Sequence, residues 1–194
     1  MAAAGKVITG FSLPYVAKYA ASEGVVTYSL GQKLARGVDV NIEPNSSDAN
    51  IFYADNIEAE NVPSTFTNGT ATLTVDGLFQ DTERFICGLQ AADAEGFINY
   101  GDDQEVPTLG IGFVVRYMSD GVTTYTPVIL TKANVTPQTL AAATQEESID
   151  FQTQELQFNL YRDDTSNHRW KRVGGELASE AAAEAVIKDV FGIL

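Results

Sequence analysis

The sequence predicts a mainly β fold of the α+β type, a β-sandwich or partly rolled barrel with helices packed outside. Three observations carry this expectation. Several stretches alternate apolar and polar residues with period two, as a strand with one buried and one wet face does. The 194 residues include 16 Gly, 8 Tyr and 10 Phe, with abundant Val and Thr, a composition suited to pleated surfaces and tight turns. Two stretches carry a helical stripe, one in the middle of the chain and one at its end.

Residues 1–34 mix small residues, glycines and the aromatics Phe11, Tyr15, Tyr19 and Tyr28 around Pro14, with no clean period. Such a stretch cannot bury its rings alone, so it is expected to be an arm, with the domain proper spanning residues 35–194. The aromatic content makes a contact with another subunit the natural role for it. From residue 35 the period becomes two: Val38, Val40 and Ile42 share one face, and Asp39, Asn41 and Glu43 the other. Residues 44–48, led by Pro44, are expected to end that strand. A second strand is expected over residues 51–58 as part of an acidic hairpin, then a loop over 61–69. Residues 70–75 alternate again, Thr70, Thr72 and Thr74 against Ala71, Leu73 and Val75, before the turn signal Asp76-Gly77.

Residues 80–89 form the first expected helix, capped by Asp81, with Phe79, Thr82, Ile86 and Leu89 on one stripe. An acidic connection follows, containing Asp93, Glu95, Asp102, Asp103 and Glu105. Residues 108–118 and 122–130 flank Ser119-Asp120-Gly121, the strongest hairpin signal in the chain. Residues 131–147 read as a polar connection. Over 149–160, Ile149 and Phe151 take odd positions whereas Leu156, Phe158 and Leu160 take even ones, which predicts a long strand with a β-bulge. A helix over 176–191 closes the chain, with Ile187, Val190, Phe191 and Leu194 on its stripe and Glu184 placed to pair with Lys188.

Twelve Lys and Arg against 26 Asp and Glu give a formal charge of −14. That argues against ordinary nucleic-acid binding, where Lys and Arg supply the affinity by releasing counterions. A chain of this length buries roughly 70% of its unfolded surface and needs no disulfide or metal to fold. The single cysteine, Cys87, excludes an internal disulfide, and with the single histidine, His168, it excludes a Cys/His metal cluster. No signal peptide and no membrane-spanning run is visible, so reducing cytoplasm is the expected place of synthesis, and the Asn-x-Ser/Thr triplets read as turn chemistry.

No constellation nominates a catalytic centre, and no catalytic, cofactor-binding or metal-binding residues are expected. The segment 162–169, which holds Asp163, Asp164, Ser166 and His168, reads as a turn rich in local hydrogen bonds. Cys87 reads as a buried, inert thiol. The run 93–105 lacks the alternating oxygen-ligand spacing of a calcium loop, and Gly110-Ile111-Gly112 opens a strand, where a phosphate loop would open a helix. One charge asymmetry stands out. Acids crowd residues 81–105, including Asp102 and Asp103, and Arg162, Arg169, Lys171 and Arg172 cluster around Trp170. They are either paired or solvated within one copy or complementary between neighbouring copies.

Several stretches resemble the major tail proteins of long-tailed, non-contractile bacteriophages and prophages. They are GKVITGFSLPYVAKY at 5–19, LARGVDVNIE at 34–43, FYADN at 52–56 and FVVRY at 113–117, with Asp163-Asp164 through Trp170-Lys171-Arg172 similar as well. The resemblance implies a structural, non-enzymatic tail-tube protein, similar in fold to the tube of type VI secretion. Six copies would form a ring whose sheets join around a channel. Rings would stack around a tape-measure protein between initiator and terminator proteins, and DNA would pass through the lumen without specific binding. The protein would be assembled in the host cytoplasm and reside in the virion, with the N-terminal arm and a long loop between early strands touching neighbouring copies.

Under that implication, face alternation nominates Asp39, Asn41, Glu43, Thr72 and Thr74 as lumen-facing, together with Gln152 and Gln154. Phe11, Tyr15, Tyr19, Tyr28, Asp102, Asp103, Arg162, Arg169, Trp170, Lys171 and Arg172 are the candidate inter-subunit residues. The competing reading is a monomeric β-sandwich binding module, for carbohydrate for example, which would display a platform of exposed aromatic rings.

Overall fold

A computed structural model describes residues 5–144 and 151–193. Ten strands and two helices follow in the order β1 (Val7–Ser22), β2 (Val25–Lys33), β3 (Gly37–Ser46), β4 (Asn50–Ala54), β5 (Ile57–Val62), β6 (Phe66–Val75), α1 (Gln80–Cys87), β7 (Leu109–Ser119), β8 (Val122–Val135), β9 (Gln154–Tyr161), β10 (Lys171–Val173) and α2 (Glu180–Phe191). The chain is therefore mainly β. One antiparallel sheet runs β2-β1-β7-β8-β9-β6-β3, with β10 added to β8, and β4–β5 form a separate hairpin.

The N-terminal segment is where expectation and structure part most. Residues 7–33 are integral to the sheet: β1 pairs along nearly its whole length with β7 on one side and with β2 on the other. Their period was hidden for physical reasons. Register shifts fall between Ile8 and Gly10, Ser12 and Tyr15, and Val16 and Lys18. Leu13 and Leu30 take positive φ, 53° in each case. Each irregularity resets which face a side chain meets. Glu23 and Gly24, both at positive φ, make the two-residue turn that matches strand twist.

Smaller corrections have equally local causes. Pro44 stays within β3, paired with Gly69, because β3 is an edge strand and a missing N–H on the open side costs no ladder bond. The register shift between Gly37 and Asp39 leaves Val38 55% exposed, while Val40 and Ile42 still pack on the core. The stretch 51–58 is broken by Asp55 and Asn56, at φ 51° and 62°, so it is two strands, and β6 begins at Phe66 inside the expected loop. Asp120 and Gly121, at φ 48° and 78°, make the predicted hairpin turn, but β8 continues to Val135.

Helix α1 starts at Gln80, behind Phe79, which offers no side-chain cap. Asp81 lies in its first turn and pairs with Arg84 at 3.1 Å. Ile86 and Leu89 are buried as expected, but Phe79 is 85% exposed. Strand β9 begins at Gln154, so the parity change marks where the strand starts and is no bulge; Phe151 is exposed before it, and Ile149 lies outside the described residues. Helix α2 starts at Glu180 behind the Ser179 cap, whose hydroxyl accepts from the Ala182 N–H at 3.2 Å. Ile187 and Phe191 are buried and Glu184 meets Lys188 at 3.0 Å, while Leu194 lies outside the described residues.

Two cores result. The larger gathers Val16, Leu73, Phe113, Leu130, Phe158 and their neighbours between the strands, with Ile86, Cys87 and Leu89 closing it from α1. The sheet curls enough to bring β1 against β3, where the Phe11 ring fills the space over Gly37. The smaller core lies on the opposite face, where Tyr15, Ala17, Val114 and Ile129 receive Ala183, Ile187 and Phe191 of α2.

Candidate functional site: a bare polar half of the sheet

The face that α2 covers over β1, β7 and β8 continues onto β9, β6 and β3, where neither helix of the described residues lies on it. Pairing registers build that bare half in three rows: Asp39–Thr74–Glu155, Asn41–Thr72–Gln157 and Glu43–Thr70–Asn159. The neighbours of opposite parity, Ala71, Leu73, Val75, Leu156, Phe158 and Leu160, are buried in the main core. Every polar member of the rows is exposed or half-buried. Three carboxylates, Asp39, Glu43 and Glu155, stand on this surface with no Lys or Arg in the rows, and the Asn41 amide donates to Glu43 Oε1 at 2.8 Å. Such a surface repels polyanions at short range.

Five of the seven residues nominated from alternation, Asp39, Asn41, Glu43, Thr72 and Thr74, therefore share one surface. Gln154 does not. It opposes Val75 and turns its amide oxygen to the Leu78 N–H at 3.2 Å, on the core side of the sheet. Gln152 precedes the strand. The residues that β9 does contribute to this surface are Glu155, Gln157 and Asn159. Their signal lies in the strict alternation of residues 154–161, and the apolar Ile149 and Phe151 ahead of the strand, at the opposite parity, mask it.

The aromatic residues nominated for contact with a neighbour have partners within their own chain. Phe11 packs edge-to-face on Phe113, with ring centroids 5.4 Å apart. Tyr15 is buried and donates to Glu184. Tyr19 donates to Asp164 Oδ2 at 2.7 Å and lies 6.0 Å from the Tyr28 ring, and Tyr28 donates to the Thr131 carbonyl at 2.9 Å. Burial and the Asp164 carboxylate push the Tyr19 phenol up to about 12. Asp164 itself is held below the usual carboxylate range by Lys132, 2.7 Å away, and by the Tyr19 hydroxyl. These rings tie the first hairpin to the rest of the sheet, which removes the reason to seek their partners outside the chain.

The turn 162–169 is rich in local hydrogen bonds, as expected, but its centre is buried. Asp163 is 3% exposed and accepts from the Thr165 N–H and hydroxyl and from the Arg169 N–H. Nδ1 of His168 lies 3.3 Å from the Asp163 carbonyl oxygen. Trp170 stacks on Phe66 at 4.4 Å, the Lys171 ammonium lies 4.7 Å from the Trp170 ring centroid, and Arg162 donates to the Phe66 carbonyl. Cys87 is buried, which pushes its thiol up and away from the reactive thiolate. Among the described residues no group of three or more His, Cys, Asp or Glu is placed to hold a metal ion, and no helix is long and apolar enough to cross a membrane.

The β4–β5 hairpin forms the second unusual surface. Phe52, Tyr53, Ile57 and Val62 are each more than 60% exposed, and Ile51 is 39% exposed. Among the described residues the hairpin pairs only with itself. A concentration of apolar side chains on one projecting element is the kind of feature that marks an interaction surface. The comparisons with known proteins add no identity: no protein-family model matches the chain, and no curated protein matches it in sequence.

Proposed function

We propose that this chain is the tail-tube protein of a long-tailed, non-contractile bacteriophage or prophage. In this reading copies assemble into six-membered rings, and rings stack around a tape-measure protein between initiator and terminator proteins. DNA then passes through the lumen toward the host cell. The protein acts as a structural part of the virion and catalyses nothing.

One observation carries the reading beyond the resemblance of the sequence stretches: the uncovered, carboxylate-bearing half of the sheet ends at an open edge strand. A long free edge is a hazard in a lone subunit, and joining edges around a ring removes it. Ring closure turns the β3–β6–β9 rows inward as a lining of carboxylates, amides and hydroxyls that offers the phosphate backbone no cation to bind. The exposed apolar hairpin supplies a separate contact for stacking, and a closed rotation plus an axial contact makes a filament of rings. The binding-module alternative gains nothing from Trp170, whose ring is taken up by Phe66 and Lys171.

Negative-stain electron microscopy and sedimentation of the purified full chain over rising concentration test the reading. Annular particles or tubes with a central channel are expected. A strictly monomeric protein that also fails to polymerise when seeded with tails of the parent phage would overturn it.

A further inference from the structure

We propose that neighbouring copies are held in register by the acidic loop between α1 and β7 of one copy seating in an arginine-lined cleft of the next. The inference rests on the self-assembly reading above. The cleft, about 270 Å³, lies between the β1–β2 turn and the turn preceding β10, and Val25, Tyr28, Arg169 and Arg172 contribute to its walls. In a chain of charge −14, its Arg172 forms no ion pair among the described residues. The one acid in the cleft wall, Asp163, is already bonded to Thr165 and Arg169. Among the described residues the cleft thus holds a guanidinium with no ion-pair partner, and the apolar side chain of Val25 stands 61% exposed in its wall.

The loop has the complementary character. Of its acids, Asp93 is used internally, accepting from the Phe97 N–H at 2.8 Å and the Asn99 amide at 3.1 Å. Glu95, Asp102, Asp103 and Glu105 form no ion pair among the described residues. Phe97 and Tyr100 stand 66% and 52% exposed beside them, apolar partners for Val25 at the cleft. The loop is also held in shape before any contact: the Gln104 amide donates to the Cys87 carbonyl at 2.8 Å, the Glu105 N–H to Gly88 at 3.2 Å, and the Tyr100 hydroxyl to Glu83 at 2.6 Å. A side chain at Gly88 would collide with the Glu105 carbonyl, at 1.8 Å. A preorganised loop loses little entropy on docking. Among the described residues no ion pair joins loop and cleft within one copy, so the charges of each remain for a second copy. A contact between two different surfaces is heterologous, the type that closes into a ring.

Charge reversal on each side tests this with the full-length protein. Asp102→Lys with Asp103→Lys, and separately Arg169→Glu with Arg172→Glu, are expected to weaken association by roughly tenfold or more in sedimentation. Circular dichroism verifies that each variant folds, and because Arg169 meets Asp163, Arg172→Glu alone serves if the paired change unfolds the protein. An equimolar mixture of the loop-reversed and cleft-reversed proteins is expected to recover assembly, since reversed loop then meets reversed cleft and native meets native. The proposal is overturned if either reversed protein assembles like the wild type, or if the mixture fails to recover. Failure of the wild type to assemble would instead strike the tube reading itself.

Discussion

One face of one sheet is treated in two ways. Over β1, β7 and β8 it is covered by α2; over β9, β6 and β3 it is open. The difference lies in the side chains. On the covered half, β7 offers Gly110, Gly112 and Val114, and the two glycines are close-approach sites. A Cβ on Gly112 would lie 2.6 Å from Ile187 Cγ2, and one on Gly110 2.4 Å from the Tyr28 ring. On the open half the equivalent positions carry Thr, Gln, Asn, Asp and Glu, which a helix could cover only by stripping them of water. A helix can be seated where the strand removes its own side chains, and a wet surface persists where the strand keeps polar ones.

The largest effect expected from breaking this division is on the covered half. Phe191→Ala removes the ring that fills the space above Gly112 and should cost about 3–5 kcal/mol, a fall in Tm of roughly 10 °C for a chain of this size. Gly112→Leu attacks the same contact from below and should cost about 1–3 kcal/mol by overpacking. Thermal unfolding followed by circular dichroism measures both.

A smaller effect concerns the polar clasp at the edge of α2. Tyr15 and Lys188 hold Glu184 below its ordinary value, and Lys132 and Tyr19 do the same for Asp164. A depressed carboxylate contributes stability above its unfolded pKa, about 4 for these residue types, and loses it as pH falls through the lower folded value. Stability should therefore decline below about pH 4. Glu184→Gln should cost about 1 kcal/mol at neutral pH and make that decline shallower, as read from urea unfolding across pH.

Least of all should be felt on the open half. Thr72→Val and Gln157→Leu should shift stability by no more than about 0.5 kcal/mol, because both stand on the uncovered face and neither is buried. If these surfaces are equivalent in function as well, Asp39→Lys with Glu43→Lys should leave both folding and DNA delivery intact. The tube reading predicts that folding is kept while DNA delivery by assembled particles slows, as measured by an ejection assay.

The two halves also differed in how well the sequence could be read. The open half was legible because one wet face imposes strict alternation, and Asp39, Asn41, Glu43, Thr72 and Thr74 were found by that alone. In the covered half both faces are buried, so β7 from Leu109 to Val115 reads as a continuous apolar run. The strand was visible there, but its division between two cores was not. The first hairpin was illegible because bulges and positive-φ residues reset its parity three times. Strand β10, three residues long and exposed throughout, carries no pattern to read and exists through its pairing with β8. The cleft at Arg172 was half visible: composition gathered the basic residues, but only the fold separates Arg162 and Lys171, occupied by Phe66 and Trp170, from an arginine with no ion pair among the described residues.

A cryo-electron microscopy reconstruction of the assembled particle measures the central claim directly. The account predicts stacked six-membered rings with Asp39, Thr72, Glu155 and Gln157 facing the channel and α2 on the outside. A particle with α2 lining the channel and the β3–β6–β9 rows on its outer surface would contradict it.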